Sequence, residues 1–239
     1  MKHLLTAIRF LTVIPGRSDD TFDLQRMSGF FPLVGLLLGG LLLAGDLVFA
    51  AIWSAPVAAW LDVVLLALLT GGLHLDGLGD AGDGLLSHRS PEEMLAIMKD
   101  SRLGVMGLLA VLFVLGLKWA GLSGLGEERA FALLLVPAFS RLGMLFGLRF
   151  LPYGRPQNGI GTGAFSTLLP WSAFWMLGLL VPLALLMGRS GLWLLLGFAG
   201  LVLLVLRFYR ARLGCITGDM LGAMNEVLEA GLFLLLAAA

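Results

Sequence analysis

Runs of about twenty largely apolar residues recur near 31–52, 55–75, 104–122, 130–150, 170–188 and 191–207. Each is long enough to cross the hydrocarbon core of a bilayer, ~30 Å thick, as an α-helix. A seventh run, 220–239, carries Asn225, Glu226 and Glu229 in its first half, which weakens it as a span. Ahead of the first run, Leu4, Leu5, Ile8 and Leu11 share a helical face opposite Lys2, Thr6 and Arg9, the pattern of a helix lying at the membrane interface. Arg9 interrupts that apolar run and no small-residue cleavage pattern follows, so the segment reads as retained and not as a signal peptide. In the longest gap, 76–103, Ser90-Pro91-Glu92-Glu93 has the form of a capping box with proline at the first helical position. It predicts a short helix to Lys99, with Met94, Leu95, Ile97 and Met98 resting on the membrane surface. The expectation is an all-α integral membrane protein, with residues 1–239 as one domain. Its architecture is a polytopic bundle of six to seven transmembrane helices, with an N-terminal interfacial helix and a short cytoplasmic helix after the second span. Gly35-x-x-x-Gly39, Gly143-x-x-x-Gly147 and Gly218-x-x-x-Gly222 offer places where two helices can approach closely.

Composition agrees: 59% of residues are hydrophobic and 13% charged, against about a quarter charged in soluble domains. Lys plus Arg and Asp plus Glu both number 16, so no global field points to nucleic acid as a partner. A lone cysteine, Cys215, excludes an intrachain disulfide and a thiolate metal cluster. Charge placement gives an orientation. With the N-terminus cytoplasmic, Lys2, Arg9, Arg17, Arg26, Arg89, Lys99, Arg102, Arg149, Arg155, Arg207, Arg210 and Arg212 fall at or near the cytoplasmic side, and Lys118, Arg129 and Arg189 outside. That bias is the positive-inside rule. The same assignment gathers Asp76, Asp80, Asp83, Asp100, Asp219, Glu226 and Glu229 on the cytoplasmic side, leaving Asp46 and Asp62 toward the other.

The acids of His74-Leu75-Asp76-Gly77-Leu78-Gly79-Asp80-Ala81-Gly82-Asp83-Gly84 carry the first candidate chemistry. At about 100° per residue, Asp76, Asp80 and Asp83 span only about 60° of one helical face. Carboxylates that close repel unless a cation neutralises them, and hard oxygen donors suit Mg²⁺ or Mn²⁺, with further ligands from water and substrate phosphate. The competing reading is a solvated loop. Gly77, Gly79, Gly82 and Gly84 are poor helix formers, so they imply close approach of a ligand or a neighbouring backbone. His74 lies about 200° from Asp76 on a helix, which suits packing or support as well as catalysis. Lys99 and Arg102, three apart if helical, are candidates to clamp a diphosphate or to anchor the third span. Arg149 and Arg155 flank Pro152 and Pro156, in a loop that can cover the site or lie on the membrane surface. Arg141, deeper in its run, should face the bundle. Asp219, Glu226 and Glu229 make a second acidic group that suits a cation or substrate. A cation or proton transporter would spread acids through the membrane depth in repeated halves. No inverted repeat is evident.

With those motifs, the chain resembles the cobalamin synthase family, the adenosylcobinamide-GDP ribazoletransferases. The resemblance rests on FPLVGLLLG at 31–39, GGLHLDGLGDAGDG at 71–84, IMKDSRLGVMG at 97–107, and TGDMLGA followed by Glu226 at 217–226. Where the family more usually has LADTADG this chain has LGDAGDG, with both Asp positions kept; LGC precedes Thr217 where a glycine pair is more usual. The resemblance implies a Mg²⁺-dependent, multi-pass enzyme of the bacterial inner membrane, with its active site on the cytoplasmic side. It would transfer the adenosylcobinamide phosphoryl group from adenosylcobinamide-GDP to α-ribazole or its 5′-phosphate. GMP would be released and adenosylcobalamin or its 5′-phosphate formed, in the nucleotide-loop stage of vitamin B12 synthesis. Other cobalamin-synthesis enzymes are conceivable partners, besides the lipid bilayer. The implied site has Asp76, Asp80 and Asp83 on the metal and Lys99 and Arg102 on the diphosphate. Asp83 or Asp219 takes the hydroxyl proton, and Arg149, Arg155, His74, Glu226 and Glu229 line the substrate. The CDP-alcohol phosphotransferases share the logic, but their D-x-x-D-G-x-x-A-R arrangement is absent.

Overall fold

Apolar runs of this length close their backbone hydrogen bonds internally by forming helices, and the computed structural model, which describes residues 2–15, 23–154 and 169–239, is a helical bundle. In chain order the helices are α1 (Lys2–Leu11), α2 (Leu24–Ser28), α3 (Phe31–Ile52), α4 (Ala55–Leu69), α5 (Leu73–Leu85), α6 (Pro91–Ile97), α7 (Val105–Gly124) and α8 (Arg129–Phe150). After a 3₁₀ turn, Trp171–Phe174, come α9 (Leu177–Leu185), α10 (Arg189–Arg212) and α11 (Gly218–Ala237). Among the described residues, α3, α7, α8, α10 and α11 are each long and apolar enough to cross a membrane, and the bent pair α4–α5 would make a sixth if counted as one span. The protein is a multi-pass membrane protein.

The expected second span, 55–75, is broken. Gly71 and Gly72 have φ of 61° and 71°, the left-handed region that glycine enters without a Cβ penalty. The chain turns there, and α5 leaves at 91° to α4. The acidic stretch is therefore a helix of its own. The expected span at 170–188 is also corrected: its regular helix, α9, has nine residues and contains Pro182, which cannot donate to the helix ladder. The segment still leads from one end of α8 to the start of α10, which lies at the other end of α8. The Trp171 ring packs 6.1 Å from Phe150, while Ser190 Oγ donates to Glu128 Oε1 at 3.1 Å.

Local expectations fare unevenly for comparable reasons. The capping box at Ser90 and Glu93 forms in both directions, although α6 stops at Ile97. Met94 and Met98 are buried in protein, not laid on a membrane surface. In α1, Ala7 and Leu11 are buried while Leu5 points outward, because the helix turns its seam toward α3; Phe10 stacks on Phe31 at 6.0 Å.

Helix α8 is the most fully buried span. Helix α3 crosses it at Gly35 and Gly39, where an added Cβ would overlap the carbonyl oxygens of Pro137 and Leu134 respectively. That small-residue pair is an interface in the sense its spacing implied. In the Gly218 pair only Gly222 is packed, against His74. At the end of the bundle away from the acids of α5, Arg129 Nη2 reaches Asp46 at 2.8 Å and Asp62 at 2.6 Å. These are the residues that orientation by charge had set on that side.

Candidate functional site

Helix α5 is regular from Leu73 to Leu85, so the phase argument for its acids holds. Asp76 is exposed, and Asp80 and Asp83 are half-buried. Asp83 is engaged by backbone amides. Its Oδ2 accepts from that of Gly104 at 2.6 Å and its Oδ1 from that of Gly107 at 2.8 Å. Both amides lie at the start of α7, which has no capping side chain of its own. Among the described residues, no group of three or more His, Cys, Asp or Glu is arranged to hold a metal ion. The other two acids of this face are Asp76, which is exposed, and Asp80, which is half-buried. Two hard carboxylates four apart on a regular helix fit a Mg²⁺ that takes its other ligands from water and a diphosphate.

The glycines of α5 are answered by neighbouring protein. A Cβ at Gly77 would meet the Asp219 carbonyl at 2.8 Å, one at Gly82 would meet Gly107 Cα at 3.1 Å, one at Gly79 Leu103 at 2.9 Å, and one at Gly84 Met98 at 2.6 Å. Helix α5 thus lies against α7 and α11 as well as the loop before α7. This close fit sets the backbone at the start of α11, where Asp219 is half-buried, against α5. At its C-terminal end α5 presents carbonyls that no intrahelical amide can reach. Arg212 supplies the donors, from Nε to the Leu85 carbonyl at 2.8 Å and from Nη2 to that of Ser87 at 2.5 Å.

The expected pairing of Lys99 with Arg102 on one helix is not formed, because α6 ends before them and α7 begins after them. Both lie exposed in the intervening loop. Arg102 turns Nε and Nη2 onto Asp100, at 3.0 Å and 2.5 Å, and those hydrogen bonds hold the Asp100 carboxyl down at about 2. The Arg149 guanidinium sits 5.0 Å over the Trp171 ring, a cation–π contact at the end of α8. Arg155 lies outside the described residues.

His74 is buried and turned from the acids, as its phase predicted, with Nδ1 at 3.3 Å from Asn225 Nδ2. Glu226 and Glu229 differ from expectation: both are buried inside the bundle instead of gathering with the aspartates. Lys118 Nζ donates to Glu226 at 2.6 Å and to Glu229 at 2.5 Å, and Arg141 and Ser140 donate to the other Glu229 oxygen. Lys118, expected outside the membrane, is thus in the core. Two cations and two carboxylates from α7, α8 and α11 balance, as buried charges must. Spacing along one helix could not find this pairing. The available signal was its stoichiometry: Lys118 and Arg141 stand among apolar residues, opposite two glutamates on α11.

A family model described as cobalamin-5-phosphate synthase matches residues 3–238. Several curated relatives are named adenosylcobinamide-GDP ribazoletransferase. The one from Roseiflexus sp. (strain RS-1) is 38% identical, covering 93% of this chain and 84% of its own. That from Syntrophobacter fumaroxidans is 38% identical, covering 95% and 94%, and that from Desulfitobacterium hafniense (strain Y51) is 38% identical, covering 98% and 96%. No solved structure matches. A match across nearly the whole chain, on a helical membrane bundle whose acid helix carries the motif expected of such enzymes, places this chain in the cobalamin-5-phosphate synthase family.

Proposed function

We propose that the protein transfers the adenosylcobinamide phosphoryl group from adenosylcobinamide-GDP to the ribose hydroxyl of α-ribazole or α-ribazole 5′-phosphate, releasing GMP. The observation that carries this reading is the placement of Asp76 and Asp80 on one outward face of α5, with Asp219 of α11 and the Lys99–Arg102 loop beside the same helix. In the reaction the acceptor oxygen bonds to the cobinamide-linked phosphorus, the phosphoanhydride oxygen leaves with GMP, and the hydroxyl proton passes to a carboxylate. Negative charge grows on the diphosphate in such transfers, and fixed cations and metal ions lower the barrier by neutralising it. Mg²⁺, held by Asp76 and Asp80, would supply that Lewis-acid neutralisation. Lys99 and Arg102 would meet the same charge from the loop, Arg102 exchanging Asp100 for phosphate, and Arg149 is the further cation proposed for the substrate. Asp219 is the proposed proton acceptor: it starts α11, whose backbone packs against Gly77 of the acid helix, while Asp83 is engaged with the start of α7.

Purified protein in proteoliposomes is expected to release GMP from adenosylcobinamide-GDP only with an acceptor and Mg²⁺ present. Acceptor-independent release, or turnover undiminished in excess chelator, would contradict the reading. We further propose that the acid face is the cytoplasmic face of a bacterial inner membrane, which the distribution of Lys and Arg along the sequence supports: twelve fall to that side against Arg129 and Arg189 on the other, with Lys118 and Arg141 buried in the core. A cysteine at His88, in a Cys215→Ser background, is expected to be labelled by an impermeant maleimide in inverted vesicles and not in intact cells. The reverse pattern overturns the orientation.

A further inference from the structure

The loop from Met98 to Gly104, which carries Lys99 and Arg102, is docked on α5 at three points. Met98 is buried against Gly84, where a Cβ would stand 2.6 Å from its Cγ. Leu103 lies over Gly79 in the same way, at 2.9 Å. Beyond them, Asp83 takes the amides of Gly104 and Gly107, 21 and 24 residues away in sequence. Glycine at 104 and 107 leaves the carboxylate its room: a Cβ on Gly104 would stand 2.5 Å from Asp83 Oδ1, and one on Gly107 would stand 2.5 Å from Asp83 Oδ2 and overlap the Gly79 carbonyl.

A helix N-terminus leaves its first amides without partners, and the usual remedy is a Ser, Thr, Asp or Asn immediately before it. Here that position is Gly104, without a side chain, and the anion is supplied by another helix. The carboxylate also sits at the positive end of the α7 dipole, where negative charge is favoured. Its partners are thus backbone groups of fixed position, available without any bound cation.

From this geometry we infer that Asp83 is a positioning residue, a clasp that caps α7 and fixes the cation-bearing loop against the acid helix. The division of labour within the acid face is then Asp76 and Asp80 for the metal and Asp83 for the loop. The clasp itself stands on its hydrogen bonds; its consequence for turnover rests on the transferase reading above.

Hydrogen–deuterium exchange resolved to single amides over residues 99–110, on the full-length protein in detergent with chelator and without substrate, tests the clasp directly. In the unsubstituted protein the Gly104 and Gly107 amides should be protected under these conditions, and adding Mg²⁺ should not change them. Asp83→Ala should speed their exchange by roughly five- to tenfold, the scale of a lost cap. Asp83→Asn, which keeps one full acceptor, should expose mainly one of the two. Asp76→Asn and Asp80→Asn should leave both protected. Exchange at open-amide rates in the unsubstituted protein without metal overturns the clasp, and that result does not depend on any variant folding or on any transfer activity. In turnover, Gly107→Ala, which displaces Asp83, should raise the KM for adenosylcobinamide-GDP without raising the Mg²⁺ concentration for half-maximal rate. Asp80→Asn should raise that Mg²⁺ concentration. If Asp83→Asn raises the Mg²⁺ requirement as Asp80→Asn does while its amides stay protected, Asp83 is a metal ligand and the positioning role is refuted.

Discussion

Glu229→Leu is expected to destabilise the protein by about 3–5 kcal/mol, the cost of stripping one partner from a buried ion pair. The side chain is fully buried and serves two cations: Lys118 on one oxygen at 2.5 Å, Arg141 and Ser140 on the other. Asn225 Nδ2 adds a contact at 3.3 Å. Without it, Arg141 has no carboxylate among its hydrogen-bond partners, and Lys118 keeps only Glu226. Neither cation can reach water, since the relative exposure of both side chains is below 5%. The penalty is therefore desolvated charge left uncompensated, and the lost Coulomb attraction is the smaller part. Removing both members of a pair should accordingly be milder, so Glu229→Leu with Arg141→Leu should recover part of the loss. Unfolding in mixed micelles followed by tryptophan fluorescence measures both variants. A single variant within about 0.5 kcal/mol of the parent, the range of an ordinary surface change, would show that the network does not hold α7, α8 and α11 together.

The second large effect concerns chemistry and leaves the fold alone. Asp76→Asn and Asp80→Asn should each lower the rate of GMP release by about 10²–10³, the scale of removing one pre-organised electrostatic contact to a transition state. The protein should insert and purify normally. Asp76 is exposed and Asp80 half-buried, whereas Asp83 holds two backbone amides at the start of α7. Full turnover by both variants would remove the acid helix from the mechanism.

Elements carried by local rules were legible in the sequence. The helical phase of Asp76, Asp80 and Asp83 needed only a regular α5, and the Ser90 capping box needed only residues three apart; both are present. The break of the second span was written in Thr70-Gly71-Gly72, but an apolar window running to residue 75 concealed it, because hydropathy does not register two left-handed glycines. Spacing alone made Lys99 and Arg102 candidates for one helical face, but α6 ends at Ile97 and α7 starts at Val105. Partnerships between distant helices were not legible at all. Lys118 finds Glu226 and Glu229 across 108 and 111 residues, and Asp83 finds the start of α7 through a turn of chain whose path depends on Met98 and Leu103 packing. Gly104 and Gly107 flanking that start were the trace the clasp left in the sequence. Gly77, Gly79, Gly82 and Gly84 implied close approach correctly, without saying of what; the answer is the backbone of α11 and α7 and the loop before α7.

The central claim, that Asp76 and Asp80 hold a divalent cation together with a diphosphate, is tested most directly by Mn²⁺ electron paramagnetic resonance on the purified protein. Mn²⁺ binding should tighten when adenosylcobinamide-GDP is added, and both the binding and its coupling to the substrate phosphorus should be lost in Asp76→Asn and Asp80→Asn but kept in Asp83→Asn. Mn²⁺ bound equally well with substrate in Asp76→Asn and Asp80→Asn would place the metal elsewhere and contradict the account.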